Sequence, residues 1–172
     1  MAETTVIIPV FNCKKYVEEA VDSVLSQPSG GINIVLVDDG STDGSGALCD
    51  QLSARYERVT VIHKKNGGVS SARNAGIEYA LSRTDDSCKR NSFLVFLDAD
   101  DIWVENFFNA EVDSILQEDY DVVGFQHSES DSTLSCLTLI NNLHGDRIVS
   151  GGENSIWAHG NRHLGCMFFS RL

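Results

Sequence analysis

The chain has 172 residues, 42% hydrophobic and 22% charged, a composition that fits one globular domain with its own core. A formal net charge of −12 and a pI of about 4.6 exclude DNA or RNA as natural partners. Five cysteines (Cys13, Cys49, Cys88, Cys136 and Cys166) form no C-x-x-C pair, and no apolar run reaches the ~18 residues of a membrane span, so reduced thiols in a cytoplasmic setting are expected.

Thr4 to Val10 is β-branched and apolar, and reads as a buried strand with Pro9 near its end. The segment before it lacks the basic-then-apolar pattern of a signal peptide. A helix is predicted over Lys14 to Gln27, because Val17, Ala20, Val21, Val24 and Leu25 share one face. Ile32 to Val37 is a second strand and ends in Asp38 and Asp39. Ser41, Thr42 or Asp43 is suited to cap the next helix, Ser45 to Tyr56. Val59 to His63 is a third strand. The Asn66-Gly67-Gly68 turn then leads into a helix opened by Ser70 or Ser71, with Arg73 in its first turn. The polar stretch Arg83 to Asn91 reads as a surface loop.

Phe93 to Leu97 is a short apolar run that leads directly into Asp98, Asp100 and Asp101. Such a run suits a central strand of a parallel sheet, buried on both faces. A helix over Val104 to Gln117 and a strand over Asp121 to Gln126 follow. Beyond His127 the pattern weakens. The type of Leu134 to Leu143 stays open, Gly151 to Trp157 suits a short helix, and Gly165 to Ser170 suits a strand. Alternating strands and helices up to Gln126 indicate a Rossmann-like, doubly wound, mostly parallel α/β fold.

In open α/β sheets, ligands sit at the carboxyl ends of the strands. Two predicted strands deliver acids there. Crowded carboxylates repel one another unless a cation lies among them, and oxygen-only donors suit Mg²⁺ or Mn²⁺ bridging to phosphate. The competing reading is a solvated acidic turn that caps the helix beginning near Trp103. Trp103 itself reads equally as a brace for that turn or as a core anchor. Cys13 reads as a small buried filler. His159 and His163 have helical metal-ligand spacing, but Gly160 between them argues against a helix. Trp157 reads as a packing residue before a sugar platform.

Four segments together resemble glycosyltransferase family 2, with its GT-A fold. They are IIPVFNCKKYVEEAVDSVLSQ (Ile7 to Gln27), VDDGSTDGS (Val37 to Ser45), NGGVSSARNAGIEYA (Asn66 to Ala80) and FLDADD (Phe96 to Asp101). The resemblance covers residues 4 to 126 well. It implies a nucleotide-sugar-binding domain over residues 1–126, with 127–172 as the incomplete start of an acceptor-side portion of the same domain.

The resemblance also implies residue roles. Pro9, Val10 and Phe11 would line the nucleobase pocket, and Asp39 would accept from a base N–H. Arg73 would sit by the base or the phosphates, Asp98 would face the ribose, and Asp100 would hold Mg²⁺ or Mn²⁺. The Gly67-Gly68 turn suits an anion on physical grounds, whereas the resemblance places its helix beside the base.

The implied reaction is inverting transfer from a nucleotide-diphosphate sugar, a UDP-sugar by preference, to a saccharide or lipid-linked acceptor hydroxyl. Its setting would be cell-surface or exopolysaccharide synthesis, in the cytoplasm with peripheral association at the inner membrane face. The general base is expected beyond Leu172, since Asp131, Asp146 and Glu153 read as solvated acids. A nucleotide-sugar-binding module without catalysis is the alternative. A nucleotidyltransferase ranks lower, because Pro9 to Asn12 replaces the Gly-rich basic loop such enzymes carry after their first strand.

Overall fold

The computed structural model describes residues 3–28, 31–83, 92–103, 105–117, 122–126, 137–141, 147–150 and 166–171. The first half alternates strand and helix: β1 (Glu3–Val10), α1 (Val17–Leu25), β2 (Ile32–Asp38), α2 (Ser45–Arg55), β3 (Val59–His63), α3 (Val69–Arg83) and β4 (Ser92–Phe96). Then come α4 (Ala110–Gln117), β5 (Val122–Gln126), β6 (Leu137–Asn141), β7 (Arg147–Ser150) and β8 (Cys166–Arg171).

These strands form one sheet in the order β3-β2-β1-β4-β8-β5-β6-β7. The first four are parallel, as expected from their apolar runs. β8 returns antiparallel between β4 and β5, and β6 and β7 extend that edge antiparallel. Pairing of β1 with β4 ends at Ile7 opposite Phe96, so Pro9, two residues further on, lies past that ladder.

Strand alternation divides the core into two layers. Val6, Ile8, Val10, Ile34, Leu36, Phe93 and Val95 face α1, α2 and the aromatic group Trp103, Phe107 and Phe108. Ile7, Val35, Val37 and Leu94 face α3 through Ala72 and Ala80. Full burial of a large side chain such as Phe93 contributes about 1.5–3 kcal/mol. Trp103 is buried in this core, its ring centroid 5.0 Å from Phe107 and 6.2 Å from Phe108. Its amide donates to Ser23 Oγ on α1 at 3.0 Å, and the Phe108 amide donates to Gln27 Oε1 at 2.9 Å. The turn carrying the acids is therefore anchored to α1.

Two helices begin later than their apolar periodicity predicts. α1 starts at Val17, because the amides of residues 12–14 turn away to the β2–α2 loop. α4 starts at Ala110, since Asn106 is left-handed (φ 58) and Asn109 is the cap, its Oδ1 accepting the Val112 amide at 3.1 Å. Within the open segment Leu134 to Leu143, residues 137–141 form β6, and the expected terminal strand is β8. Strand β7 was not anticipated. Gly151 to Trp157, His159, His163, Asp131, Asp146 and Glu153 lie outside the described residues.

Candidate active site

The chain runs from β1 outward to β3 and then returns to place β4 on the other side of β1. That reversal is a topological switch point, and its carboxyl rim is where such sheets bind ligands. A cleft of about 370 Å³ opens there. Of the residues expected to form a site, Pro9, Val10, Phe11, Asp39, Asp98 and Asp100 line it. Arg73 does not line it, but reaches from α3 to donate to Asp98 Oδ1 at 2.6 Å. Its guanidinium lies 5.7 Å from the Phe96 ring centroid, and its Nε is buried with no hydrogen-bond partner among the described residues.

Asp39 follows β2 and its side chain is 3% exposed. Its oxygens accept from Lys64 Nζ, from the Gly67 amide (2.9 and 3.2 Å) and from the Gly68 amide (2.8 Å). The anion favoured at the Gly-rich turn is thus the protein's own carboxylate. Burial pushes the Asp39 carboxyl up, but Lys64 and the two amides outweigh it and hold it below the usual range. Gly68, at φ 86, adopts the left-handed conformation that the turn requires.

Asp38 faces away from the cleft. It accepts from the Ser41 amide at 3.0 Å and pairs with His63 Nδ1 at 3.0 Å, while His63 Nε2 meets Asp50 at 2.9 Å. This agrees with a structural role for Asp38.

Asp98 and Asp100 lie in a turn closed by the Asp101 amide donating to the Asp98 carbonyl at 3.0 Å. Both side chains are exposed, and Asp100 has no hydrogen bond or ion pair to a described residue. Among the described residues, no three His, Cys, Asp or Glu side chains gather as a ready-made metal cage. One or two carboxylates are what Mg²⁺ uses when a substrate diphosphate completes its shell. Asp98 and Asp100 supply oxygen donors of the kind such a cation takes.

Cys13, Asn66, Gly68, Val69, Ala72 and Ala99 complete the cleft lining, all but Cys13 from the Asn66 to Ala80 and Phe96 to Asp101 segments. Cys13 is half-buried, packed against the core from the cleft wall. Phe11 (48% exposed) and Val69 (51% exposed) are large apolar side chains left open to this cleft. Lys64 was missed, since its role depends on Asp39, 25 residues away.

The loop that carries Phe11 and Cys13 is held from the β2–α2 loop. The Asn12 amide donates to Ser41 Oγ at 3.1 Å, and the Thr42 amide donates back to Asn12 Oδ1 at 2.8 Å. The Cys13 amide donates to Ser45 Oγ at 3.0 Å, and the Lys14 amide to Asp43 Oδ2 at 3.1 Å. Asp43 Oδ1 in turn accepts from the Ser45 amide at 2.9 Å and from its hydroxyl. The cap residue of α2 is Gly44 (φ 93), so Asp43 serves that helix from one position further out.

Fold and cleft together define a GT-A-type α/β domain. The chain belongs to glycosyl transferase family 2, whose pattern matches residues 5–155. It is 37% identical over 131 residues to glycosyltransferase GlyG of Streptococcus pneumoniae serotype 4, covering 74% of this chain and 40% of that protein. It is 39% identical over 107 residues to the minor teichoic acid biosynthesis protein GgaB of Bacillus subtilis, covering 60% of this chain and 11% of that protein. The chain thus spans less than half the length of these relatives.

Among solved structures, residues 1–349 of S. aureus TarS in complex with UDP-GlcNAc superpose with a TM-score of 0.55 at 25% identity, covering 70% of this chain and 33% of that one. The mannosyltransferase PcManGT from Pyrobaculum calidifontis, solved with GDP-Man and Mn²⁺, shares the fold with a TM-score of 0.57 at 22% identity, covering 70% and 34%.

Proposed function

We propose that this chain is the donor-binding part of an inverting, metal-dependent glycosyltransferase that uses a UDP-sugar. The observation that carries the reading is the convergence of Phe11, Asp39, Asp98 and Asp100 on one cleft at the switch point, with Arg73 bound to Asp98. In this reading the base lies against Pro9, Val10 and Phe11, whose exposed ring offers a stacking face. Asp39 accepts the base N–H. Lys64 and the Gly67 and Gly68 amides hold that carboxylate in place beside the base. Asp98 faces the ribose. Arg73 keeps an unused Nε donor, which supports a place beside the base or the phosphates.

Mg²⁺ or Mn²⁺ held by Asp100 would compensate charge on the diphosphate. A carboxylate base would take the proton of the acceptor hydroxyl as that oxygen attacks the anomeric carbon from the opposite face, while the bond from that carbon to the diphosphate breaks and the nucleoside diphosphate leaves with the electron pair. The need for a cation is sharpened by the chain's own charge of −12. Similarity to a protein named for teichoic acid biosynthesis supports a saccharide or lipid-linked acceptor in cell-surface polymer synthesis. The reading places the reaction in the cytoplasm, at the inner face of the membrane. No helix among the described residues is long and apolar enough to cross a bilayer.

Asp100→Ala tests the site directly. It should lower Mn²⁺-dependent UDP affinity by roughly tenfold or more, the scale of one charged hydrogen-bonding group. The circular dichroism spectrum should be that of the parent. Unchanged affinity would overturn the reading.

A further inference from the structure

We propose that Asp43 is a positioning residue for the donor cleft, acting through Ser45 and the amides of Cys13 and Lys14 on the loop that presents Phe11. This deepens the donor-cleft reading and rests on it.

Three consecutive amides, those of Asn12, Cys13 and Lys14, lie in the loop that leads from β1 into α1 (Val17–Leu25). No side chain near α1 caps it. All three are satisfied instead by Ser41, Ser45 and Asp43, about thirty residues away in sequence. The Ser45 hydroxyl is the pivot. An ionised carboxylate can only accept, so Asp43 fixes the hydroxyl proton toward itself and turns a lone pair of Ser45 to the Cys13 amide. Ser45 is fully buried, so this relay has one geometry.

The consequence reaches the cleft because Phe11 has little else to hold it. Its side chain is 48% exposed, so its direction follows from the backbone at residues 11–13. Asn12 there is left-handed (φ 53), a conformation uncommon for a non-glycine residue, and one that persists where neighbours over-determine it. Those neighbours are the clamp. Gly44 completes it: at φ 93 it favours glycine, and a Cβ there would lie 3.3 Å from Lys14 Nζ.

The test combines amide hydrogen exchange with calorimetric titration of UDP and Mn²⁺ on the 172-residue chain, at a temperature where every variant is folded. In Asp43→Ala, exchange should accelerate at Cys13 and Lys14 while the strand amides of β1 and β2 keep their protection. UDP affinity should fall by about tenfold. Ser45→Ala is the milder variant; it should free the Cys13 amide alone, with a smaller loss of affinity. Unchanged exchange at these amides would overturn the clamp. Faster exchange with unchanged UDP affinity would overturn the positioning role, because a purely structural contact moves the melting temperature and not the affinity of the folded protein. Should the parent chain bind no UDP, the donor reading itself fails before any variant is made, and the positioning role falls with it.

Discussion

His63 stands between two carboxylates, with Asp50 on Nε2 and Asp38 on Nδ1, and both raise its pKa above the ordinary 6.5. A raised folded-state value means that the protonated ring is favoured by folding. Its contribution is therefore complete below 6.5 and lost as pH rises through the folded value. Asp38 moves the opposite way. Burial pushes it up, but Ser41 and His63 bring it below the usual carboxylate range. His63→Gln should thus destabilise the chain in mildly acidic buffer, by less than about 1 kcal/mol because the ring is half-exposed. Urea denaturation should show that cost shrinking as pH rises well above 6.5. A cost independent of pH would show that packing, not charge, is what His63 supplies. At this scale the acids were legible, because Asp38, Asp39, Asp98 and Asp100 follow apolar runs directly. Lys64 was not: it acquires its role from Asp39, a partner that only the folded chain brings near.

The helices show what periodicity can and cannot place. The small face of α3 is needed because the helix lies very close to β1: a Cβ on Gly76 would sit 2.4 Å from Ile7 Cγ2. Gly76→Ala removes a poor helix former, yet the overlap should dominate and destabilise by roughly 1–3 kcal/mol. A lowered melting temperature checks this, and the cost should shrink in an Ile7→Ala background, where the obstructing atoms are gone. The apolar face of α1 correctly placed Val17, Ala20, Val21 and Val24 in the core. Its start was misplaced because the amides before Val17 are claimed by the β2–α2 loop. The aromatic residues before α4 are buried without being helical, so their spacing extended the predicted helix too far.

For the whole molecule, the parallel, doubly wound half follows from alternating strand and helix signals and short connections, whereas its order β3-β2-β1-β4 comes from the folded chain. The other half was less legible. β8 enters the sheet between β4 and β5 by pairings such as Phe93 with Arg171 and Val123 with Phe169, contacts that local sequence does not encode. The cleft needs only the parallel half, which explains why its residues could be read before the complete sheet.

The central claim is that this cleft binds a nucleoside diphosphate through a cation. The most direct test is calorimetric titration of the chain with UDP, with and without Mn²⁺, using GDP for comparison. Binding of UDP in preference to GDP, and only with Mn²⁺ present, is the expected result. UDP binding of equal strength without the metal, or no binding of either nucleotide, would contradict it.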